Sequence, residues 1–136
     1  MKKLLLSFII AFTTLLGYAQ GIPEKTSTII ITMPDSNTVN EKVLKVLTSK
    51  DYTINKGKNP LLITTAPKSL KGNVRVVLNA QLKGADIILT GKIVIAAQGG
   101  MAVEYKGTKG TPIMNAWEEM DKIAKAFGGK VAYRIK

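Results

Sequence analysis

Lysines and carboxylates make up nearly the whole chemical inventory of this sequence. Its 136 residues include 20 Lys and Arg and 9 Asp and Glu, but no His and no Cys. Without imidazole or thiol groups, the commonest general base, thiol catalysis, disulfides and most zinc sites are excluded. The serines also show no Ser-x-x-Lys spacing that would indicate a lysine-activated nucleophile. We therefore predict a protein that is not an enzyme and holds no metal or cofactor.

Three carboxylates in one short stretch are the nearest approach to a catalytic or metal-binding pair. Glu118, Glu119 and Asp121 are followed by Lys122 and Lys125. In a helix, the spacings 118 to 122 and 121 to 125 each bring a carboxylate beside a lysine. This pattern favours a solvated outer helix face over catalysis or metal binding.

A glycine-rich segment containing Gly107, Lys109, Gly110 and Thr111 precedes a predicted helix. Backbone N–H groups at a helix N-terminus can bind a phosphate or carboxylate, and Lys109 would add a positive charge. Thr111 followed by Pro112 is equally the ordinary N-cap and first residue of a helix. The segment is therefore a candidate anion site, although a simple connection is the favoured interpretation.

Tyr105 and Trp117 are the candidate lining of a ligand pocket. Both residues belong to apolar stripes, Tyr105 on a predicted strand and Trp117 on the last predicted helix. A pocket between a sheet and its helices is a common place for an apolar ligand. A Trp in the apolar stripe of a long helix is more often part of the core. We favour the core and keep the pocket as an alternative.

The first 19 residues have the pattern of a cleavable secretory signal peptide. Lys2 and Lys3 precede an apolar run over residues 4–16, and Gly17 and Ala19 are small residues suited to a signal peptidase. The run is shorter than the roughly 20 residues that span a bilayer, and no Cys follows it to carry a lipid. We predict cleavage after Ala19 and export to the periplasm or the medium, as a soluble protein with no transmembrane segment.

The charge balance favours anionic surroundings for the exported domain. Its net charge of +11 falls to +9 once Lys2 and Lys3 leave with the signal peptide. A basic exported domain suggests an envelope partner or an anionic surface such as lipid head groups, acidic polysaccharide or an acidic protein. Dispersed lysines that only maintain solubility explain the same charge and are the simpler interpretation. Nucleic acid is not expected, because Arg75 and Arg134 are the only arginines.

The remaining chain divides into a mobile leader over residues 20–26 and a single domain over residues 27–136. Apolar stripes of helical spacing predict helices over residues 38–50, with a Thr38–Glu41 capping box, and over residues 111–127. Residues 67–72 and Gly99-Gly100 are expected to be breaks or turns. Alternating or β-branched runs predict strands over residues 28–33, 52–55, 61–66, 74–83, 87–97, 101–105 and 130–136.

These elements predict an α+β fold of two layers. An antiparallel sheet of five to seven strands carries both helices on one face, in the order β-α-β-β-β-β-(β)-α-β. Polar residues alternate with apolar ones over residues 74–83. The sheet face away from the helices is therefore expected to be wet.

The order of segments resembles the TBP-like or helix-grip arrangement of the domains in the envelope lipoprotein BamC. The stretches that carry the resemblance are residues 43–47, 52–54 and 62–65, and it covers most of the mature chain. The chain departs from that family in having no lipidated Cys and in placing a strand after its last helix. The resemblance implies an envelope-associated, non-enzymatic module.

The sequence is therefore compatible with two functions. The first is an exported module that binds a partner or ligand at the cell envelope. The alternative is a carrier that holds a small apolar ligand between the sheet and the helices, beside Trp117. A filled core with an exposed basic or apolar face would favour the first, and a lined cavity would favour the second.

Overall fold

We describe the fold from a computed structural model of the chain. The structure describes residues 22–55, 57–71, 74–95 and 99–135. The predicted signal peptide and the first two residues of the predicted leader lie outside these ranges, so export stays a prediction.

In the described ranges, two helices and eight strands form two layers, which confirms the predicted α+β class. The helices are α1 (Val39–Ser49) and α2 (Pro112–Ala126). The strands are β1 (Thr26–Thr32), β2 (Ile54–Asn55), β3 (Leu62–Thr65), β4 (Lys68–Leu70), β5 (Val74–Lys83), β6 (Asp86–Ile95), β7 (Gly99–Ala102) and β8 (Lys130–Ile135).

All strands pair antiparallel in one sheet, in the order β2-β3-β5-β6-β1-β8. The long β5–β6 hairpin forms its centre and turns at Gly84, whose φ of 61° suits a tight turn. Beside β5, β3 pairs with one half and β4 with the other. Beside β6, β1 pairs with one half and β7 with the other. The two long strands therefore each support two shorter ones.

The predicted count of five to seven strands is too low because β4 was expected to be a break. Its three residues lie between Pro67 and a turn, too few to show an alternating pattern. They form a strand because β5 offers a free half-edge, against which Lys68 pairs with Val76 and Leu70 with Val74. Because this pairing depends on residues outside the segment, a short window of sequence does not reveal it.

The core lies between the sheet and the two helices. Alternate residues of β5 and β6 face it, and both helices direct their apolar stripes onto the same face of the sheet. The largest fully buried side chains are Trp117, Phe127, Ile29, Ile31, Leu47, Leu78, Ile87, Leu89, Ile93, Met120, Ile123 and Val43.

The two helices begin differently. The Thr111 hydroxyl accepts a hydrogen bond from the Met114 N–H at 3.3 Å, so the predicted N-cap of α2 is confirmed. Thr38 makes no side-chain capping bond, so the predicted capping box of α1 is wrong. Upstream, the Asp35 carboxylate accepts from the Asn37 N–H at 2.9 Å and shapes the approach to the helix.

The predicted leader of residues 20–26 extends too far. Thr26 is buried within β1, and Ile22 packs against the core. The Lys25 N–H donates to the Tyr105 carbonyl, and the Tyr105 N–H donates to the Thr26 carbonyl, each at 2.9 Å. The chain is therefore anchored before the β-branched run that marks β1 in the sequence.

The turn predicted at Gly99-Gly100 is displaced. Both glycines lie within β7, where Gly99 pairs with Ile95 and Gly100 with Val94. Beyond β7 the chain continues along the sheet, because the Val103 N–H donates to the Gly91 carbonyl at 3.0 Å. The predicted strand over residues 101–105 is thus divided between β7 and this extension.

Candidate functional site: the open face of the sheet

The predicted anion loop is an exposed connection to α2. Gly107 and Gly110 adopt positive φ angles of 75° and 88°. Lys109, between them, is exposed. Thr111 uses its hydroxyl within the protein, donating to the Thr108 carbonyl at 3.2 Å and accepting from the Met114 N–H. These residues form an ordinary helix start, and no further feature of the loop indicates an anion.

Tyr105 and Trp117 are brought together, but as packed neighbours. Their rings meet edge to face with centroids 5.9 Å apart, and Tyr133 packs on the indole at 6.0 Å. Trp117 is 1% exposed and belongs to the continuous core. The space beside the indole is filled by aromatic side chains, as expected for a core Trp.

The carboxylates of α2 do not all lie on a solvated face, so that prediction is wrong for two of them. Glu119 and Asp121 are half-buried at the margins of the helix, and only Glu118 is exposed. The Tyr133 hydroxyl donates to Asp121 at 2.8 Å. The helical period places these residues at the edge of the apolar stripe, where neighbouring elements reach them.

Lys68, Glu119 and Tyr52 form a half-buried cluster of a lysine, a carboxylate and a phenol. The Lys68 ammonium donates to Glu119 at 3.1 Å and to the Lys50 carbonyl at 2.8 Å. It also lies 4.6 Å above the Tyr52 ring, whose hydroxyl donates to Glu119 at 3.2 Å. Lys68 was predicted to lie in a surface break, but β4 holds it half-buried. The ammonium is fully engaged, which suits a structural tie between β4, α1 and α2.

Both tyrosines that contact these carboxylates are held in the protonated form. Burial, followed by the charge and hydrogen bond of Glu119, raises the pKa of Tyr52 far above its ordinary value. Burial and the hydrogen bond to Asp121 raise the pKa of Tyr133 in the same direction. The phenols therefore act as donors that orient the carboxylates rather than as bases.

We expect Glu119→Gln and Lys68→Met each to lower the free energy of unfolding by about 1–2 kcal/mol, because each leaves its partner half-buried without its charge complement. A double-mutant cycle in urea should give a coupling of similar size. The matched control is Lys125→Met, since Lys125 pairs with Asp121 at 2.9 Å but is 63% exposed. Its loss should stay below about 0.5 kcal/mol. Equal losses at both pairs would contradict the structural tie.

The open face of the sheet, opposite the helices, is the one broad surface that no described helix covers. Predicted wet positions of β5 lie on it, and the pairing register adds their neighbours on β6, β1 and β8. On these four strands its charged side chains are basic apart from Asp86, which accepts a hydrogen bond from the Thr32 hydroxyl at 2.7 Å beside the turn. Beyond β7, Glu104 lies between the inward-facing Val103 and Tyr105 and pairs with Lys106 at 3.0 Å. The basic residues on this face are Arg75, Lys83, Lys92, Lys130 and Arg134.

A cleft opens on this face beside β6, between the part of β6 that pairs with β1 and the part that pairs with β7. We call it the β1 cleft, and its volume is about 430 Å³. Other clefts lie at the Met33–Gly128 end of the domain and beside β2 and β3. The β1 cleft is lined by Ser27, Thr28, Asn79, Gln81, Ile88, Thr90, Gly91, Lys92, Ala102 and Arg134.

Sequence reasoning placed Asn79 and Gln81 on the wet face but did not assemble the β1 cleft. Its walls come from five strands that are far apart in the chain, joined by the registers of β1 with β8 and of β5 with β6. The local sequence pattern that indicates this face is the alternation of apolar and polar residues over residues 74–83.

Comparison with known proteins identifies no family for this chain. No protein-family model matches the chain, and no curated protein matches it. Within the described ranges, no helix is long and apolar enough to cross a membrane. The same part of the chain contains no group of three or more acidic side chains that would hold a metal ion.

Proposed function

We propose that this protein is an exported, non-enzymatic module that binds an anionic component of the cell envelope through the open face of its sheet. The observation that carries the proposal is the charge of this face. Both arginines of the chain, Arg75 and Arg134, lie on it together with three lysines of the paired strands. The acids on this side are Asp86 and Glu104, and Glu104 pairs with Lys106. Arginine is the side chain best suited to carboxylates and phosphates.

The helix side of the domain differs from this face in its charge pattern. Exposed acids and lysines alternate there, with Glu41 beside Lys42 on α1 and Glu118 beside Lys122 on α2. Mixed charges of this kind maintain solubility without attracting one sign of partner. The separation of charge between the two sides favours a binding role for the basic one.

The alternative is a carrier of an apolar ligand held between sheet and helices. The geometry supports it less well, because Trp117 is enclosed by Tyr105 and Tyr133 and the inward residues form one continuous core. An apolar ligand would have to displace these packed side chains.

The predicted export favours the cell envelope as the place of action. This prediction rests on the signal sequence and on the resemblance to BamC-like domains. If residues 1–19 are removed, intact-mass measurement of the exported protein should find Gln20 at its N-terminus. Material that begins at Met1 would contradict export by cleavage.

Charge reversal tests the binding face. Immobilised protein should capture an anionic component from envelope extract, and Arg75→Glu with Arg134→Glu should weaken this capture by about tenfold or more. The matched control, Lys45→Glu with Lys122→Glu, makes the same change in net charge on the two helices. It should remain within about twofold of the original protein. Equal weakening by both double variants, or by neither, would contradict binding through the open face.

A further inference from the structure

A β-bulge in β1 breaks the regular alternation of its side chains. Thr26 pairs with Ile135 and Thr28 pairs with Arg134, so Ser27 is an extra residue on β1. Bulges redirect a side chain and are frequent beside functional sites. Ser27 is one of the residues that line the β1 cleft, whereas Ile29 and Ile31 face the helices.

The Ser27 hydroxyl is buried without a partner. The residue is 5% exposed, and its Oγ has no hydrogen-bond partner among the described residues. Buried side-chain hydroxyls are nearly always paired, and an exception calls for an explanation. The adjacent Thr26 follows the rule, since its hydroxyl donates to the Pro23 carbonyl at 2.7 Å. An unpaired hydroxyl on the wall of a cleft is suited to a polar group of a ligand.

Two cations contribute to the lining of the cleft. Arg134 lies across from Thr28 on β8, and Lys92 lies on β6 with its side chain running over Gly100 of β7. Both side chains are exposed, and neither forms an ion pair among the described residues. The lining of the cleft contains no acidic residue. The electrostatic complement of the cleft is therefore an anion.

The remaining lining is rich in hydroxyl and amide groups. The Asn79 amide oxygen accepts a hydrogen bond from the Thr64 hydroxyl at 2.9 Å, which leaves its N–H donors for the cleft. Thr90 is paired across from Asn79, and Gln81 lies two residues further along β5. Such groups exchange hydrogen bonds with the hydroxyls of a ligand. The volume of about 430 Å³ is within the range of small-molecule sites.

We infer that the β1 cleft binds a sugar unit carrying a carboxylate or phosphate. Arg134 contacts the anionic group, Ser27 supplies a hydrogen bond from the wall, and Asn79 contacts the sugar hydroxyls. The inference rests on the proposed function and narrows its anionic component to an acidic saccharide.

Calorimetric titration of the purified protein tests this assignment. The anionic probes are D-galacturonate and D-glucose 6-phosphate, and D-galactose and inorganic phosphate separate the sugar from the charge. We expect each anionic sugar to bind at least about tenfold more tightly than either control compound, since each control lacks one set of contacts. A galacturonate oligomer that binds more tightly than the monomer would place the unit within a polysaccharide, whereas equal affinity would indicate a free sugar.

Three variants locate the binding. Ser27→Ala and Arg134→Gln should each weaken binding of the anionic sugars by about tenfold, and Ser27→Ala should fold normally because it removes an unpaired buried hydroxyl. The matched control is Lys122→Gln, which removes one positive charge from the exposed side of α2 and should leave the affinity within about twofold.

Failure of this inference is distinguishable from failure of the proposed function. No binding of either anionic sugar, binding equal to that of the control compounds, or affinity unchanged by Ser27→Ala and Arg134→Gln would overturn the saccharide site. Capture from envelope extract that still depends on Arg75 and Arg134 would then leave the binding face standing.

Discussion

Replacing Trp117 by Ala is expected to lower the free energy of unfolding by about 3–5 kcal/mol. The indole is 1% exposed and is packed between Tyr105 and Tyr133 with ring centroids about 6 Å away. Its removal leaves a large cavity in the layer between α2 and the sheet. Guanidinium unfolding should be followed by far-ultraviolet circular dichroism, because Trp117 is the only Trp in the chain.

The matched control is Leu61→Ala, since Leu61 is 57% exposed and its loss should cost less than about 0.5 kcal/mol. The experiment also separates the two functions. A residue that lines a ligand pocket would lose little stability when truncated, so a loss below about 1 kcal/mol at Trp117 would favour the carrier. A large loss fits a core that has no room for an apolar ligand.

Substituting Ala for Gly129 is expected to lower the free energy of unfolding by about 3 kcal/mol. A Cβ atom there would lie 2.5 Å from the Thr32 carbonyl oxygen and 2.9 Å from both the Ile31 methyl and the Met33 sulfur. The carbonyl belongs to the backbone at the end of β1, where Thr32 pairs with Lys130. Relief of the clash therefore requires β1 and β8 to separate locally.

Gly57→Ala is the control for this substitution. Nothing lies within 4 Å of a Cβ built at Gly57, so the change should alter the stability by less than about 0.5 kcal/mol. Urea unfolding of both variants measures the difference. A Gly129→Ala protein as stable as the Gly57→Ala protein would contradict the close packing of β8 against the end of β1.

The predictions from sequence succeeded where a residue pattern is local. The alternation over residues 74–83 gave β5 with both of its ends, because one face of that strand is buried and the other is wet. The apolar stripe, Thr111 and the glycines at 128 and 129 gave α2 within one residue at each end. In each case the signal lies within one turn or one strand.

The errors arose where distant segments determine the structure. β4 is a strand only because β5 leaves half of its edge unpaired, and Lys68 is half-buried only because Glu119 approaches from α2. The bulge at Ser27 depends on the register with β8, more than 100 residues later in the chain. The sequence predicted a wet face, but the β1 cleft required the complete sheet.

Amide chemical-shift mapping tests most directly whether the open face binds an anionic envelope component. Uniformly ¹⁵N-labelled protein would be titrated with the acidic fraction of an envelope extract. We expect the perturbed amides to cluster on the open face around Asn79, Thr90 and Arg134, and those of α1 and α2 to stay in place. Perturbations confined to the helices, or spread evenly over both sides of the domain, would contradict a binding module that uses its open sheet face.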